Sequence, residues 1–169
     1  MNFEYIEAPP TKWTFDPSSV RRFVEKELEG RVLNLFAGQT KLRHSGEIVR
    51  NDMDEDKDAD IHIDATNCRE HFSDGSFDTL ILDPPYNVRK AREKYEGEYM
   101  GSFKRVKDQS QHLIKPAGGK VITFGYDSTG MSKSRGFEKQ KVALINHKGD
   151  HNDTICVIER RVNGSLADY

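Results

Sequence analysis

The stretch FDTLILDPPY, residues 77–86, places an acid, two prolines and an aromatic ring directly after an apolar run. The first six residues predict a buried strand, because a short apolar run bounded by turn residues is typical of a central strand. Proline has no N–H to give to a neighbouring strand, so the strand must end at the turn. A residue before proline is restricted to extended backbone, so the Asp83 carboxylate, the Pro84 carbonyl and the Tyr86 ring are held in a stiff arrangement. Such a turn can grip a flat polar group.

Further segments predict an alternation of helices and strands. One helix is expected from Asp16, as N-cap, and Pro17, as first helical residue, to a stop at Gly30. A second helix is expected to end before Pro116. Residues 1–15 are read as a lead-in segment. The other predicted strands are RVLNLFAG (31–38), EIVRND (47–52), DIHID (60–64), KVITFGY (120–126), KVALINH (141–147) and DTICVIER (153–160). The last two are expected to form an antiparallel pair.

Polar stretches lie at the carboxyl ends of the first four predicted strands of the chain, FDTLIL being the fourth. They are NLFAGQT (34–40), ND (51–52), DA (64–65) and DPPY (83–86). Apolar strands separated by crossovers predict an α/β fold with a doubly wound, mostly parallel sheet. Ligands of such sheets bind beyond the carboxyl ends of the strands. The polar stretches therefore predict one shared binding site.

Charge is unevenly distributed along the chain. The net charge is −2 over 169 residues, which does not indicate a uniformly basic nucleic-acid binder. Residues 51–83 carry eleven acids and two basic residues, whereas residues 86–120 carry nine basic residues and four acids. The basic region begins at the DPPY turn, so it is expected to meet an anionic substrate there.

Length and composition predict a single domain, residues 1–169, in a soluble cytoplasmic protein without a membrane partner. Cys68 and Cys156 are the two cysteines, too few and too far apart to indicate a disulfide framework or a zinc ribbon. They are expected to be inert apolar residues. The alternating acids of residues 52–60 lack the glycine and glutamate of a calcium loop. We therefore predict no metal site.

These features together resemble the S-adenosylmethionine-dependent amino-methyltransferases, in particular the adenine N6-methyltransferases with a DPPY box. The similarity extends over residues 14–160, and the box behind its apolar strand is its most specific part. The resemblance implies a Rossmann-like class I methyltransferase with a seven-stranded sheet and S-adenosyl-L-methionine as cofactor. Asn34 stands where the family commonly has an acid, and the first turn has one glycine, Gly38.

The resemblance also assigns residues to roles. Phe15 and Pro17 match the lead-in that packs on the cofactor, and Asp52 matches the acid that binds the ribose hydroxyls. Asp64 and Ala65 match the pair that meets the adenine. The turn that wraps the methionine part corresponds to Asn34, Phe36, Ala37 and Gly38. The catalytic box corresponds to Asp83, Pro84, Pro85 and Tyr86, with Asp83 also beside the cofactor.

The resemblance implies transfer of a methyl group to an exocyclic amine, with adenine N6 in DNA as the first choice. Guanine N2 or adenine N6 in RNA, cytosine N4 and a protein glutamine stay open as substrates. A nucleic-acid-binding module without activity is a further alternative. Four basic residues after the box are expected to contact the nucleic acid, with a solvated surface as the alternative reading: Arg89, Lys90, Arg92 and Lys94. Target preference would come from residues 87–102 and 126–136 or from a partner chain.

Overall fold

The computed structural model describes residues 1–85 and 99–162 and shows one sheet of seven strands. Two of its strands, Val32–Asn34 and Thr79–Leu82, are buried along their whole length, as expected for strands covered on both faces. The strands are β1 (Asn2–Glu7), β2 (Val32–Asn34), β3 (Ile48–Arg50), β4 (Thr79–Leu82), β5 (Lys120–Gly125), β6 (Phe137–Asn146) and β7 (Thr154–Arg161).

The strand order is β1-β6-β7-β5-β4-β2-β3. β3, β2, β4 and β5 are parallel to one another, and β1 is parallel to β6. β7 lies between β6 and β5 and is antiparallel to both. The predicted mostly parallel sheet with an antiparallel last pair is confirmed.

The described residues 1–85 and 99–162 contain two α-helices and two short 3-10 helices. α1 (Ser18–Glu27) covers one face through Val20, Phe23 and Val24. On the opposite face, α2 (Tyr99–Ser110) and the 3-10 helix Ala65–Glu70 cover β2, β4 and β5. The second 3-10 helix, Lys133–Arg135, lies in the connection from β5 to β6. None of the helices in residues 1–85 and 99–162 has the length and apolar character needed to cross a membrane.

Two predictions about strands are wrong. Residues 2–7 of the predicted lead-in form β1, at the edge of the sheet. The segment 60–64 forms no strand and makes one isolated bridge, between Asn51 and Ile61. Local hydrogen bonds replace a ladder there, since the Asp60 carboxylate accepts from the Arg50 N–H (2.8 Å) and Asp64 accepts from the Thr66 N–H (2.9 Å).

The helix boundaries also differ in detail from the prediction. Pro17 is itself the N-cap of α1, without a side-chain hydrogen bond, and the helix begins at Ser18. Asp16, the predicted N-cap, instead accepts a hydrogen bond from the Thr40 hydroxyl (2.5 Å). This bond ties the segment before α1 to the loop after β2, which brings that segment to the site described next.

Candidate active site

A cleft of about 900 Å³ opens at the carboxyl ends of the parallel strands. Its lining combines apolar and aromatic side chains with polar and charged ones, as small-molecule sites do. Ten of the residues predicted for the site line this cleft: Phe15, Phe36, Ala37, Gly38, Asp52, Asp64, Ala65, Asp83, Pro84 and Pro85. The strand ends therefore converge as predicted for a parallel sheet.

The turn after β2 is held from both sides by residues of β3 and the turn that follows it. The Gly38 N–H donates to Asp52 Oδ2 (2.9 Å), and the Gly38 carbonyl accepts from Arg50 Nη2 (3.0 Å). Gly38 has φ +56°, and a Cβ there would lie 3.1 Å from the Trp13 ring. Only glycine combines this backbone conformation with this close approach at no cost. These contacts fix the orientation of the turn relative to the cleft.

Asn51 joins the ends of three chain segments beneath the cleft. Its Nδ2 donates to the Leu35 carbonyl (3.0 Å) and to the Ile63 carbonyl (3.2 Å), and its Oδ1 accepts from the Ile63 N–H (2.9 Å). The side chain is almost fully buried. The Asn51 amide therefore takes the place of the backbone hydrogen bonds expected for the predicted strand 60–64, and it holds residues 63–65 beside β2.

Asp52 and Asp64, the acids that were predicted to follow strands, also accept hydrogen bonds within their own turns. Asp52 Oδ1 accepts from the Asp54 N–H (3.0 Å), while its other oxygen holds Gly38. Asp64 Oδ1 accepts from both the N–H (2.9 Å) and the hydroxyl (2.7 Å) of Thr66, at the start of the 3-10 helix. A carboxylate offers about four acceptor positions, so both retain acceptor capacity toward the cleft.

The DPP turn lies where β4 ends. Asp83 is half-buried, Pro84 is buried and Pro85 is exposed, and all three reach the cleft. The negative charge of Asp83 also acts on Cys156, whose pKa is raised well above its usual value, first by burial and then by this carboxylate. Tyr86 and the predicted nucleic-acid contacts lie outside the described residues. They are Arg89, Lys90, Arg92 and Lys94.

Two predicted cofactor residues do not line the cleft. Asn34 lies within the sheet at 1% exposure, and its Oδ1 has no hydrogen-bond partner among the described residues. Pro17 precedes α1 and supports the segment that contributes Phe15. Phe15 is buried with its ring edge-on to Phe124, at 5.3 Å between ring centres and 77° between planes.

Several cleft residues were not predicted from the sequence. Trp13 packs against the Gly38 turn, with the ammonium groups of Lys12 and Lys57 at 5.2 and 5.5 Å from its ring centre. Such distances are those of cation–π contacts. The signal available in the sequence was the single tryptophan of the chain two residues before Phe15. Its approach to Gly38 depends on the tertiary fold.

Arg105 of α2 is another unpredicted residue of the rim. Its Nε donates to the Thr66 carbonyl (3.1 Å) and its Nη2 to Asn67 Oδ1 (3.0 Å). The guanidinium thereby ties α2 to the 3-10 helix that begins after Asp64. Arg105 is exposed, so it brings positive charge to the edge of the cleft.

Both cysteines are buried free thiols, as predicted. Burial raises the pKa of Cys68 to about 12. A thiol with so high a pKa is not a nucleophile near neutral pH. Neither cysteine lines the cleft.

Comparison with known proteins identifies the fold. No protein-family model matches the sequence, and no curated protein is significantly similar to it. Among solved structures, TrmN from Thermus thermophilus superposes with a TM-score of 0.63 and 14% identity, over 86% of this chain and 49% of that one. The chain thus spans about half the length of TrmN.

Two further solved structures share the fold over more of their own length. The Burkholderia thailandensis 1,6-didemethyltoxoflavin-N1-methyltransferase, with bound 1,6-didemethyltoxoflavin and S-adenosylhomocysteine, has a TM-score of 0.62 and 10% identity over 85% of this chain and 76% of that one. A SAM-dependent methyltransferase from Methanosarcina mazei has a TM-score of 0.55 and 10% identity over 83% and 97%. The chain has the Rossmann-like fold of class I methyltransferases.

Proposed function

We propose that this chain is an S-adenosylmethionine-dependent methyltransferase that modifies an exocyclic amine, namely adenine N6 in DNA. The observation that carries the proposal is one cleft shared by the Asp83–Pro85 turn, the Gly38 turn and the acids Asp52 and Asp64. A cofactor site and a catalytic box must adjoin if a group passes from one to the other. The fold supports the proposal, because class I methyltransferases are built on it.

The residues of the cleft fit S-adenosylmethionine. The Asp52 carboxylate has acceptor positions left for the ribose hydroxyls, and Asp64 and Ala65, which also line the cleft, would hold the adenine. The backbone from Phe36 to Gly38 would follow the methionine part. When bound, this cofactor supplies a methyl group that is already activated by the sulfonium.

Asp83 and Pro84 supply the acceptors that an aromatic amine needs. The lone pair of an exocyclic amine is delocalised into the ring, so the amine is a poor nucleophile. The Asp83 carboxylate and the Pro84 carbonyl would accept hydrogen bonds from its two N–H groups, draw it toward tetrahedral geometry and stabilise the positive charge that develops. The nitrogen would take the methyl group as the bond between that carbon and the sulfonium sulfur breaks, S-adenosylhomocysteine would leave, and the surplus proton on nitrogen would pass to the Asp83 carboxylate or to water. Because prolines fix the turn, the two acceptors need no reorganisation.

The assignment to DNA rests on charge and on aromatic surface. Arg105 and Lys12 are exposed basic residues along the rim of the cleft, where phosphates could lie. The Tyr86 ring and the basic residues that follow it would add stacking and further phosphate contacts. A base of duplex DNA would have to leave its stack to reach Asp83.

The direct test is transfer of a labelled methyl group. The chain is incubated with S-adenosylmethionine carrying a tritiated methyl and with duplex DNA, single-stranded DNA, RNA or protein, and the modified nucleoside is identified by mass spectrometry. We expect N6-methyladenine from DNA. A label found only in RNA or protein would reject the DNA assignment and keep the chemistry. Absence of both cofactor binding in calorimetry and transfer to every substrate would reject the methyltransferase.

A further inference from the structure

The outer edge of β1 is one of the two edges of the sheet in the described chain. β1 stands at the end of the strand order, so its other edge has no neighbour within residues 1–85 and 99–162. In a parallel pair, alternate residues turn their N–H and C=O groups to the same neighbour. The Ala8 N–H bonds to the Asn146 carbonyl of β6 (3.0 Å), so the even-numbered residues face β6. Phe3, Tyr5 and Glu7 therefore present their backbone groups outward.

Two of the outward residues of this edge carry large, exposed aromatic side chains. Phe3 is 66% exposed and Tyr5 is 55% exposed. They stand beside the partly exposed Val142 and Leu144 of β6, with which they are in register, on the face of the sheet opposite α1. The connection from β5 to β6 contains only a 3-10 helix of three residues. An open edge with an aromatic flank is a template for pairing with another strand.

We propose that β1 pairs with β1 of a second copy of this chain, antiparallel across a two-fold axis, so that one sheet continues through both copies. In the register that we assign, Phe3 lies opposite the partner's Tyr5, and Glu4 lies opposite the partner's Glu4 at the axis. Outward backbone groups then meet outward backbone groups, as an antiparallel hydrogen-bonded pair requires. The aromatic residues form two equivalent cross-strand pairs, which are among the stabilising pairs in sheets.

Ion pairs within each chain make this edge compatible with a second copy. The exposed Glu7, at the carboxyl end of β1, binds Lys148 of its own chain (2.9 Å). Glu4, at the axis, binds Lys141 of its own chain (2.8 Å), so each of the two facing carboxylates has a cation beside it. Antiparallel pairing also brings Glu7 of each copy to the amino end of the other β1, near the exposed Lys139. The acids of this edge are therefore paired with cations before the two copies meet.

A charge-swap experiment tests this interface. Sedimentation velocity over a range of concentrations should show a dimer of the unaltered chain. A variant with Phe3→Lys and Tyr5→Lys should dissociate, with dimer affinity lower by at least about a hundredfold because lysines then face each other in both pairs. The variant with Phe3→Glu and Tyr5→Glu should do the same. An equimolar mixture of the two should dimerise again, since Lys then faces Glu. Val162→Lys, at another exposed apolar residue, is the control and should remain dimeric.

Disulfide trapping tests the register. Both native cysteines are buried, so an introduced thiol can be oxidised selectively. Glu4→Cys should give a cross-linked dimer on a non-reducing gel, because a directly opposed pair at the axis has Cα atoms about 4.5 Å apart, within reach of a disulfide. Glu7→Cys should not, because its two copies would be roughly 20 Å apart. A monomeric unaltered chain, a dimer that survives both charge variants, or equal cross-linking of the two cysteine variants would overturn the proposal. None of these outcomes depends on methyl transfer.

Discussion

Asp83 is the residue on which the proposed chemistry depends most directly. Its carboxylate lies at the cleft, directly after the four buried residues of β4, so the packing of the core sets its position. If it stabilises charge that is present mainly in the transition state, its loss must lower turnover more than binding. Its neighbour Pro84 contributes a main-chain carbonyl, which a side-chain substitution does not remove.

We therefore expect Asp83→Ala to lower single-turnover methyl transfer by at least ~10²-fold, the scale for one preorganised electrostatic contact. The affinity for the cofactor should change little, because the carboxylate acts on the amine. Asp83→Asn should be milder, since an amide oxygen still accepts a hydrogen bond. If Asp83→Ala transfers the methyl group at an unaltered rate, the DPPY box only forms a turn and has no catalytic role.

Asp52 should govern binding of the cofactor. Carboxylate bonds to ribose hydroxyls are charge-assisted, so Asp52→Ala should weaken S-adenosylmethionine binding by about ten- to a hundredfold. Calorimetry gives the dissociation constant. Asp56→Ala is the matched control, because Asp56 is an exposed acid of the same stretch that does not line the cleft. Equal affinities in the two variants would remove the ribose role from Asp52.

At the scale of elements, the turn after β2 links stability to binding. Gly38 combines φ +56° with close approach to Trp13, with a hydrogen bond that its N–H donates to Asp52 and with one that its carbonyl accepts from Arg50. Gly118, with φ +74°, has no atom within 4 Å of the place where a Cβ would stand. The two glycines therefore separate the cost of backbone conformation from the cost of contact.

Gly38→Ala and Gly118→Ala should both lose stability through the left-handed backbone, by about 1–2 kcal/mol. Gly38→Ala should lose more, because its Cβ would press on Trp13, and only this variant should weaken cofactor binding. Denaturant unfolding gives the stabilities and calorimetry gives the affinities. If Gly38→Ala binds the cofactor as tightly as Gly118→Ala does, the turn has no part in the site.

Strands buried on both faces were predicted correctly from the sequence, because such burial requires a run of apolar residues. β4 and β5 are buried on both faces and read as continuous apolar runs. β1 escaped prediction because its sequence NFEYIE alternates only in part and its exposed face carries Phe3 and Tyr5. The segment 60–64 alternated like a strand, yet Asn51 satisfies its backbone groups through a side chain.

Some residues of the cleft could be predicted from the sequence and others could not. Asp52, Asp64 and Asp83 could be placed together because parallel strands end at one edge. Trp13 and Arg105 could not, since they reach the cleft from a segment before α1 and from α2. Their positions follow from packing between elements that are distant in the chain, which no local pattern encodes.

At the scale of the whole molecule, an ionic network closes the sheet at the end away from the cleft. The buried Lys120 Nζ donates to the Glu27 carbonyl (2.8 Å) and lies 2.7 Å from Glu29 Oε1, and Arg160 also binds Glu29 (2.6 Å). The Arg160 hydrogen bond, opposed in part by burial, and then Lys120 lower the pKa of Glu29 from 4.5 to about 2. The network joins the end of α1 to β5 and β7.

The lowered pKa of Glu29 predicts how stability depends on pH. A depressed carboxyl stabilises the fold above its unfolded pKa, and this contribution is lost as pH falls from about 4.5 to about 2. Glu29→Gln should therefore lower the free energy of unfolding at neutral pH and flatten its decline across that window. Urea unfolding at several pH values measures both. Glu55→Gln, at an exposed acid, should behave as the unaltered chain does. A Glu29→Gln curve parallel to that of the unaltered chain would contradict the linkage.

The placement of the Lys120 network has a consequence for how this chain can change. Lys120 begins β5 and Tyr126 of the cleft follows its end, so the two regions lie roughly 20 Å apart. At such a separation, substitutions act on the folding free energy almost independently of one another. Lineages could thus exchange residues around the cleft while the anchoring charges at the far end keep the scaffold folded.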